Sequence, residues 1–78
     1  MMVKPTLVTN TIRARREEAG MTQADLAARI GVTRQTLIAI EQGRYSPTLE
    51  IAFQIARAFG LPLEDLFQYP EPTQKRDD

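Results

Sequence analysis

Residues 22–43, TQADLAARIGVTRQTLIAIEQG, set two short helical segments nearly end to end, with only Gly31, Val32 and Thr33 between them. Thr22 is placed to cap the first segment, Gln23 to Ile30, and Thr33 to cap the second, Arg34 to Gln42. A three-residue link forces two helices to cross steeply, and a steep crossing restricts what each nearby position can hold. Ala27 is small where the second segment must approach most closely. Gly31 stands at the start of the turn, where a positive φ is needed and only glycine adopts it without steric cost. Leu26, Ile30, Val32, Leu37 and Ile40 have the spacing to close a core between the two segments. An unrelated helical bundle accounts for any one of these residues but not for their conjunction, which predicts a helix-turn-helix.

The flanking sequence extends the helical pattern in both directions. Asn10 caps a first helix running to about Ala19, with Ile12 and its i+3/i+4 neighbours turned inward and Gly20 as its stop. Ser46-Pro47-Thr48 gives a turn and a new cap ahead of LEIAFQIARAF, residues 49–59. Only Glu50, Gln54 and Arg57 interrupt that apolar run, so it is expected to be the central, most buried helix. Gly60 closes it, and Pro62 opens a short fifth helix ending near Phe67. The prediction is an all-α, five-helix domain over residues 10–69, preceded by an N-terminal arm (1–9) and followed by a disordered tail (70–78). A weaker expectation pairs Met2 to Val8 with residues 66–70 as a short two-stranded sheet.

Composition narrows the function classes. A chain of 78 residues suits one domain with a modest core. It has no Cys and no His, which excludes disulfides, Cys/His zinc sites and His-dependent triads, and Ser46 is the only serine. No nucleophile–base pair, metal cluster or cofactor motif emerges, so enzymatic activity is not expected. With no apolar run near membrane-spanning length and no secretory h-region, a cytoplasmic location is expected.

Net charge is zero, which at first argues against a polyanionic partner. The charges are unevenly placed, however. Residues 1–45 carry Lys4, Arg13, Arg15, Arg16, Arg29, Arg34 and Arg44 against Glu17, Glu18, Asp25 and Glu41, a balance of +3. Residues 46–78 carry Arg57, Lys75 and Arg76 against six carboxylates, a balance of −3. A polyanion would meet the first part, although an ordinary scatter of solvated charge reads the same way.

At 100° per residue, the segment 34–42 turns Leu37, Ile40 and Thr33 inward and Gln35, Ile38, Ala39 and Gln42 outward, with Arg34 at the flank of the outward side. Ile38 beside Gln35 and Arg34 suits contact with a thymine methyl in a DNA major groove, and equally suits a plain surface or dimer contact.

The run IRARREEAGMTQADLAARIGVTRQTLIAIEQGRYSPTLEIAFQIARAFGLPLEDLF, residues 12–67, resembles the Xre/Cro-type, lambda-repressor-like DNA-binding domains, and in particular their small stand-alone repressors. The resemblance implies a five-helix domain that binds double-stranded operator DNA as a symmetric dimer. By matching position it implies base reading by Arg34, Gln35 and Thr36, with Ile38 and Ala39 beside them; Gln35 suits adenine, and Arg34 suits guanine or a phosphate. Gln23 matches a position that contacts a phosphate and braces the third helix, at a helix N-terminus that favours anions. Thr22, Thr33, Gln42, Arg44, Tyr45 and Ser46 fall where phosphates run past, with Gly43 leaving amides accessible. Arg13 suits a phosphate contact or a solvated face. Arg16 and Glu41 match a structural ion pair between the first and third helices.

One recognition helix reads too few base pairs to find a unique genomic site, which favours a homodimer. The surplus apolar residues Leu61, Leu63, Leu66, Phe67 and Tyr69 place the expected interface on the fifth helix and the segment after it. No small-molecule ligand is implied. Repression by operator binding is the first expectation. The alternatives are an antitoxin or restriction-modification controller with the same DNA-binding domain, and a helical interaction module that does not touch DNA.

Overall fold

A computed structural model describes residues 6–70. Its elements are β1 (Thr9–Asn10), α1 (Ile12–Glu18), α2 (Gln23–Ile30), α3 (Arg34–Glu41), α4 (Leu49–Phe59), α5 (Leu63–Leu66) and β2 (Phe67–Gln68). The expected disorder of the tail and the expected strand residues Met2 to Pro5 fall wholly or mainly outside the described residues.

Local chemistry sets most of the helix boundaries. The hydroxyls of Thr22, Thr33 and Thr48 accept from the backbone N–H groups of Asp25, Thr36 and Ile51, relieving the orphan donors of three helix N-termini. Gly31 ends α2 in the left-handed region at φ 76°, and the Val32 N–H turns back to the Ala27 carbonyl at 3.0 Å, which starts the chain toward α3.

At Thr22 the cap is reciprocal, because Asp25 Oδ2 accepts from the Thr22 N–H at 3.0 Å while Thr22 Oγ1 accepts from the Asp25 N–H at 3.0 Å. The backbone hydrogen bond from Thr22, aided by its hydroxyl, holds the Asp25 carboxyl below its usual range. A carboxyl lowered on folding contributes stability above its unfolded value of about 3.9 and loses it as pH falls through the lower folded value. The gap in melting temperature between the wild type and Asp25→Asn is therefore expected to be constant above about pH 5 and to shrink below about pH 4. A gap that stays unchanged down to pH 2 would rule out the ionised cap.

The core is continuous through the helices. Ile12, Leu26, Leu37, Ile40, Ile55 and Leu66 are fully buried, one or two from each helix. Ala27 is 3% exposed within this core on α2, which packs against both α3 and α4, so a larger side chain there would have no room.

Four expectations are corrected. Thr11, not Asn10, is the N-cap of α1; Asn10 Oδ1 still accepts from the Ile12 N–H at 3.1 Å, from one residue further back. Among the described residues the first strand is Thr9–Asn10 and does not include Thr6 to Val8; it pairs antiparallel with Phe67–Gln68, within the expected 66–70. Thr11 carries this pairing to the helix by donating its N–H to the Leu66 carbonyl and its hydroxyl to the Asp65 carbonyl, so the register is set by where Ile12 must enter the core. Thr33 points outward, because its hydroxyl is committed to capping α3.

The fourth correction concerns α4, which is not the most enclosed helix. Only Ala52, Ile55 and Ala56 are buried, while Leu49 is 70% and Phe53 53% exposed. So small a domain has too few neighbouring elements to cover an apolar helix all round.

Candidate nucleic-acid interface

Whether α3 can present side chains to a ligand depends on what holds it. The central hold is a buried ion pair: Arg16 Nε donates to Glu41 Oε2 at 2.8 Å and its Nη2 to Glu41 Oε1 at 3.2 Å, with the side chains 10% and 5% exposed. The remaining guanidinium nitrogen, Nη1, donates to the Met21 carbonyl at 3.1 Å. Every buried polar side-chain atom among the described residues has a partner, as a buried charge requires. The hydrogen bond to Glu41 raises the Arg16 pKa further, so the guanidinium stays charged at any ordinary pH.

Gln23, the first residue of α2, extends this network. Its Nε2 donates to Glu41 Oε1 at 3.4 Å, and its Oε1 accepts from Arg34 Nη2 at 3.4 Å. Around these residues lies an open groove lined by Arg13, Glu17, Gln23, Arg34, Ile38 and Gln42, together with the chain from Gly20 to Ala24 at the α2 N-terminus. Its floor includes Arg16 and Glu41. Positive side chains and a helix N-terminus thus converge beside the exposed edge of α3, an arrangement suited to a phosphate-bearing ligand.

Arg34 and Gln35 are exposed, and Thr36, Ile38 and Ala39 are half-buried. Thr36 Oγ1 accepts from the Thr33 hydroxyl at 3.0 Å, and its own hydrogen remains available to donate. Arg13 donates through Nε to Glu17 at 3.1 Å, an exposed pair that is easily exchanged. Gln42, Arg44 and Tyr45 are exposed beyond the α3 C-terminus. One expectation here is narrowed: the Gly43 N–H is donated to the Ile40 carbonyl and that of Arg44 to the Ala39 carbonyl, both at 3.0 Å, so these two amides are not open to an anion. These bonds satisfy carbonyls of the last turn of α3.

Two contacts positioning this surface were not legible as such. Asn10 Nδ2 donates to the Ile40 carbonyl at 2.9 Å, tying the terminal strand to α3 across 30 positions of sequence. Thr6 and Ser46 share a hydroxyl–hydroxyl hydrogen bond of 2.7 Å, which holds Thr6 beside the loop after α3. Neither contact leaves a periodic or capping signal.

The expected dimer residues are mostly engaged within the chain. Leu66 is fully buried, and Leu61, Leu63 and Phe67 pack half-buried against the core. Only Tyr69 among them is widely exposed, at 68%.

A capped α2, a three-residue turn and an α3 with a buried inner face and an open outer edge define a helix-turn-helix domain. The helix-turn-helix family model matches residues 12–66, and the chain belongs to that family. An HTH-type transcriptional regulator of Methanothermobacter thermautotrophicus is 55% identical over 65 residues, covering 82% of this chain and 94% of that protein. The cryptic phage CTXphi transcriptional repressor RstR of Vibrio cholerae is 35% identical over 60 residues, covering 77% of this chain and 54% of the repressor. A crystal structure of a Bacteroides fragilis protein superposes with a TM-score of 0.71 at 20% identity, covering 78% of this chain and 98% of that one, which speaks to fold alone. The protein is accordingly a DNA-binding transcriptional regulator. No helix among the described residues is long and apolar enough to cross a membrane.

Proposed function

We propose that the protein is a repressor that binds a palindromic operator as a homodimer, with α3 of each subunit in the major groove. The observation that carries this reading is the exposed edge of α3, with Arg34 and Gln35 open to solvent beside the groove that also holds Arg13, Gln23 and Gln42. In the complex Arg34, Gln35 and Thr36 read base edges, and Ile38 and Ala39 lie against thymine methyls. Arg13, Thr22, Thr33, Gln42, Arg44, Tyr45 and Ser46 approach phosphates, and Gln23 does so through its backbone N–H at the start of α2. Leu61, Leu63, Phe67 and Tyr69 form the dimer face, with Leu66 supporting it from inside. The repressor name of the Vibrio cholerae phage relative supports repression over activation.

The test is a salt titration of binding to the DNA upstream of the protein's own gene. Specific binding falls steeply with log salt and protects two half-sites about 34 Å apart. Gln35→Ala is expected to lose about 1–3 kcal/mol of discrimination at one base pair per half-site. Arg44→Ala is expected to weaken all sequences alike and to reduce the salt slope by about 1. Equal affinity for scrambled DNA would end this reading.

A further inference from the structure

Glu41 never reaches the outer edge of α3, yet its Oε1 is shared between Arg16 and Gln23. An ionised carboxylate only accepts hydrogen bonds, so the end of the Gln23 amide that faces it must be the NH2 group. The outward end is then the carbonyl, which is also only an acceptor. Arg34 carries donors alone, and its Nη2 sits 3.4 Å from that carbonyl. Rotating the amide by 180° would set oxygen against carboxylate and NH2 against guanidinium, so both neighbours enforce the same orientation. At 3.4 Å the two bonds are long enough to guide Arg34 without tying it permanently to Gln23.

We propose that Glu41 is a positioning residue for sequence recognition: by fixing the polarity of the Gln23 amide it aims the Arg34 guanidinium, and so sets base preference at the pair Arg34 reads. This rests on Arg34 being a base-reading residue, as in the proposed function. The physical gain is preorganisation. An arginine already confined near its bound geometry loses less rotamer freedom on binding, and a planar fork rewards the correct base only when it is aimed correctly.

The experiment measures relative affinities for duplexes randomised at each operator position, using wild type, Arg34→Met, Gln23→Met and Glu41→Gln. Arg34→Met identifies the base pair concerned. Gln23→Met keeps the length of the side chain and removes both hydrogen bonds; it is expected to lower discrimination at that same pair about fivefold or more, within the range a bidentate contact supplies. In the Arg34→Met background it should change discrimination there no further. Glu41→Gln frees the Gln23 amide to turn and should cause the same selective loss. If that variant does not fold, Glu41→Gln combined with Arg16→Met leaves no unpaired charge inside and makes the same prediction. Uniform weakening on every sequence by Gln23→Met, with Arg34→Met selective, would reduce Gln23 to a phosphate contact and overturn the inference alone. Full discrimination in the Glu41 variants would overturn the role of Glu41. Absence of any sequence preference in the wild type would sink the operator reading first, and this inference with it.

Discussion

Glu41→Ala is expected to lower stability by about 3–5 kcal/mol, the loss typical when one partner of a buried ion pair is removed. The Arg16 guanidinium would keep only the Met21 carbonyl in a site where its side chain is 10% exposed. A domain of this length has roughly 4–12 kcal/mol in total, so much of its stability is at stake. The melting temperature should drop by at least about 12 °C, at 4–8 °C per kcal/mol for a small domain. The double variant Arg16→Met/Glu41→Leu is expected to recover most of that loss, because the cost lies in the stranded charge rather than in the absence of attraction. A single variant melting within about 2 °C of wild type would show that water or a rotamer change reaches Arg16 and that the pair contributes little.

Leu66→Ala is expected to cost about 2–5 kcal/mol through lost burial and the cavity left behind. Leu66 is fully buried within one chain, where it closes the core beneath the α5–β2 junction. Its loss should therefore be the same at micromolar protein and at a hundredfold higher concentration. Tyr69, at 68% exposed, is the contrasting case. Tyr69→Ala should leave the single-chain stability within about 0.5 kcal/mol, and raise the dissociation constant of the proposed dimer. Guanidinium melts at two concentrations, with sedimentation equilibrium, separate the two. A Leu66→Ala effect that vanished on dilution would return that residue to the dimer face.

The contrast between Leu66 and Tyr69 shows why the interface was less legible than the helices. Both are apolar residues in a C-terminal stretch with more apolar groups than a short helix needs, and nothing local separates them. Burial depends on which elements arrive to cover a residue: α5 packs against α4, and the backbone at Leu66 is held by Thr11, more than fifty positions earlier. Leu49 and Phe53 erred in the opposite sense, since their place in an apolar run implied burial that the neighbours of α4 do not provide.

For the recognition surface, residue type and offset were enough to single out Arg34 and Gln35 as exposed at the start of α3. The same reasoning did not reveal that Gly43 commits its amide to the helix it ends. A positive-φ glycine that closes a helix directs its N–H back to the last carbonyls, which removes the Gly43 and Arg44 amides from the expected anion site.

Caps, breakers and periodicity act over a few residues, so the positions of the five helices, the three threonine caps and the positive-φ turn at Gly31 were determined by the sequence itself. Tertiary structure alone decided the contacts from Asn10 to Ile40, Thr11 to Leu66 and Thr6 to Ser46, while the Arg16–Glu41 pair and the bracing by Gln23 were legible only through the family resemblance. The reason is physical. A cap or stop is satisfied by backbone a turn away, whereas a hydrogen bond between distant residues exists only once packing has set their helices side by side, and its partners carry no shared local pattern.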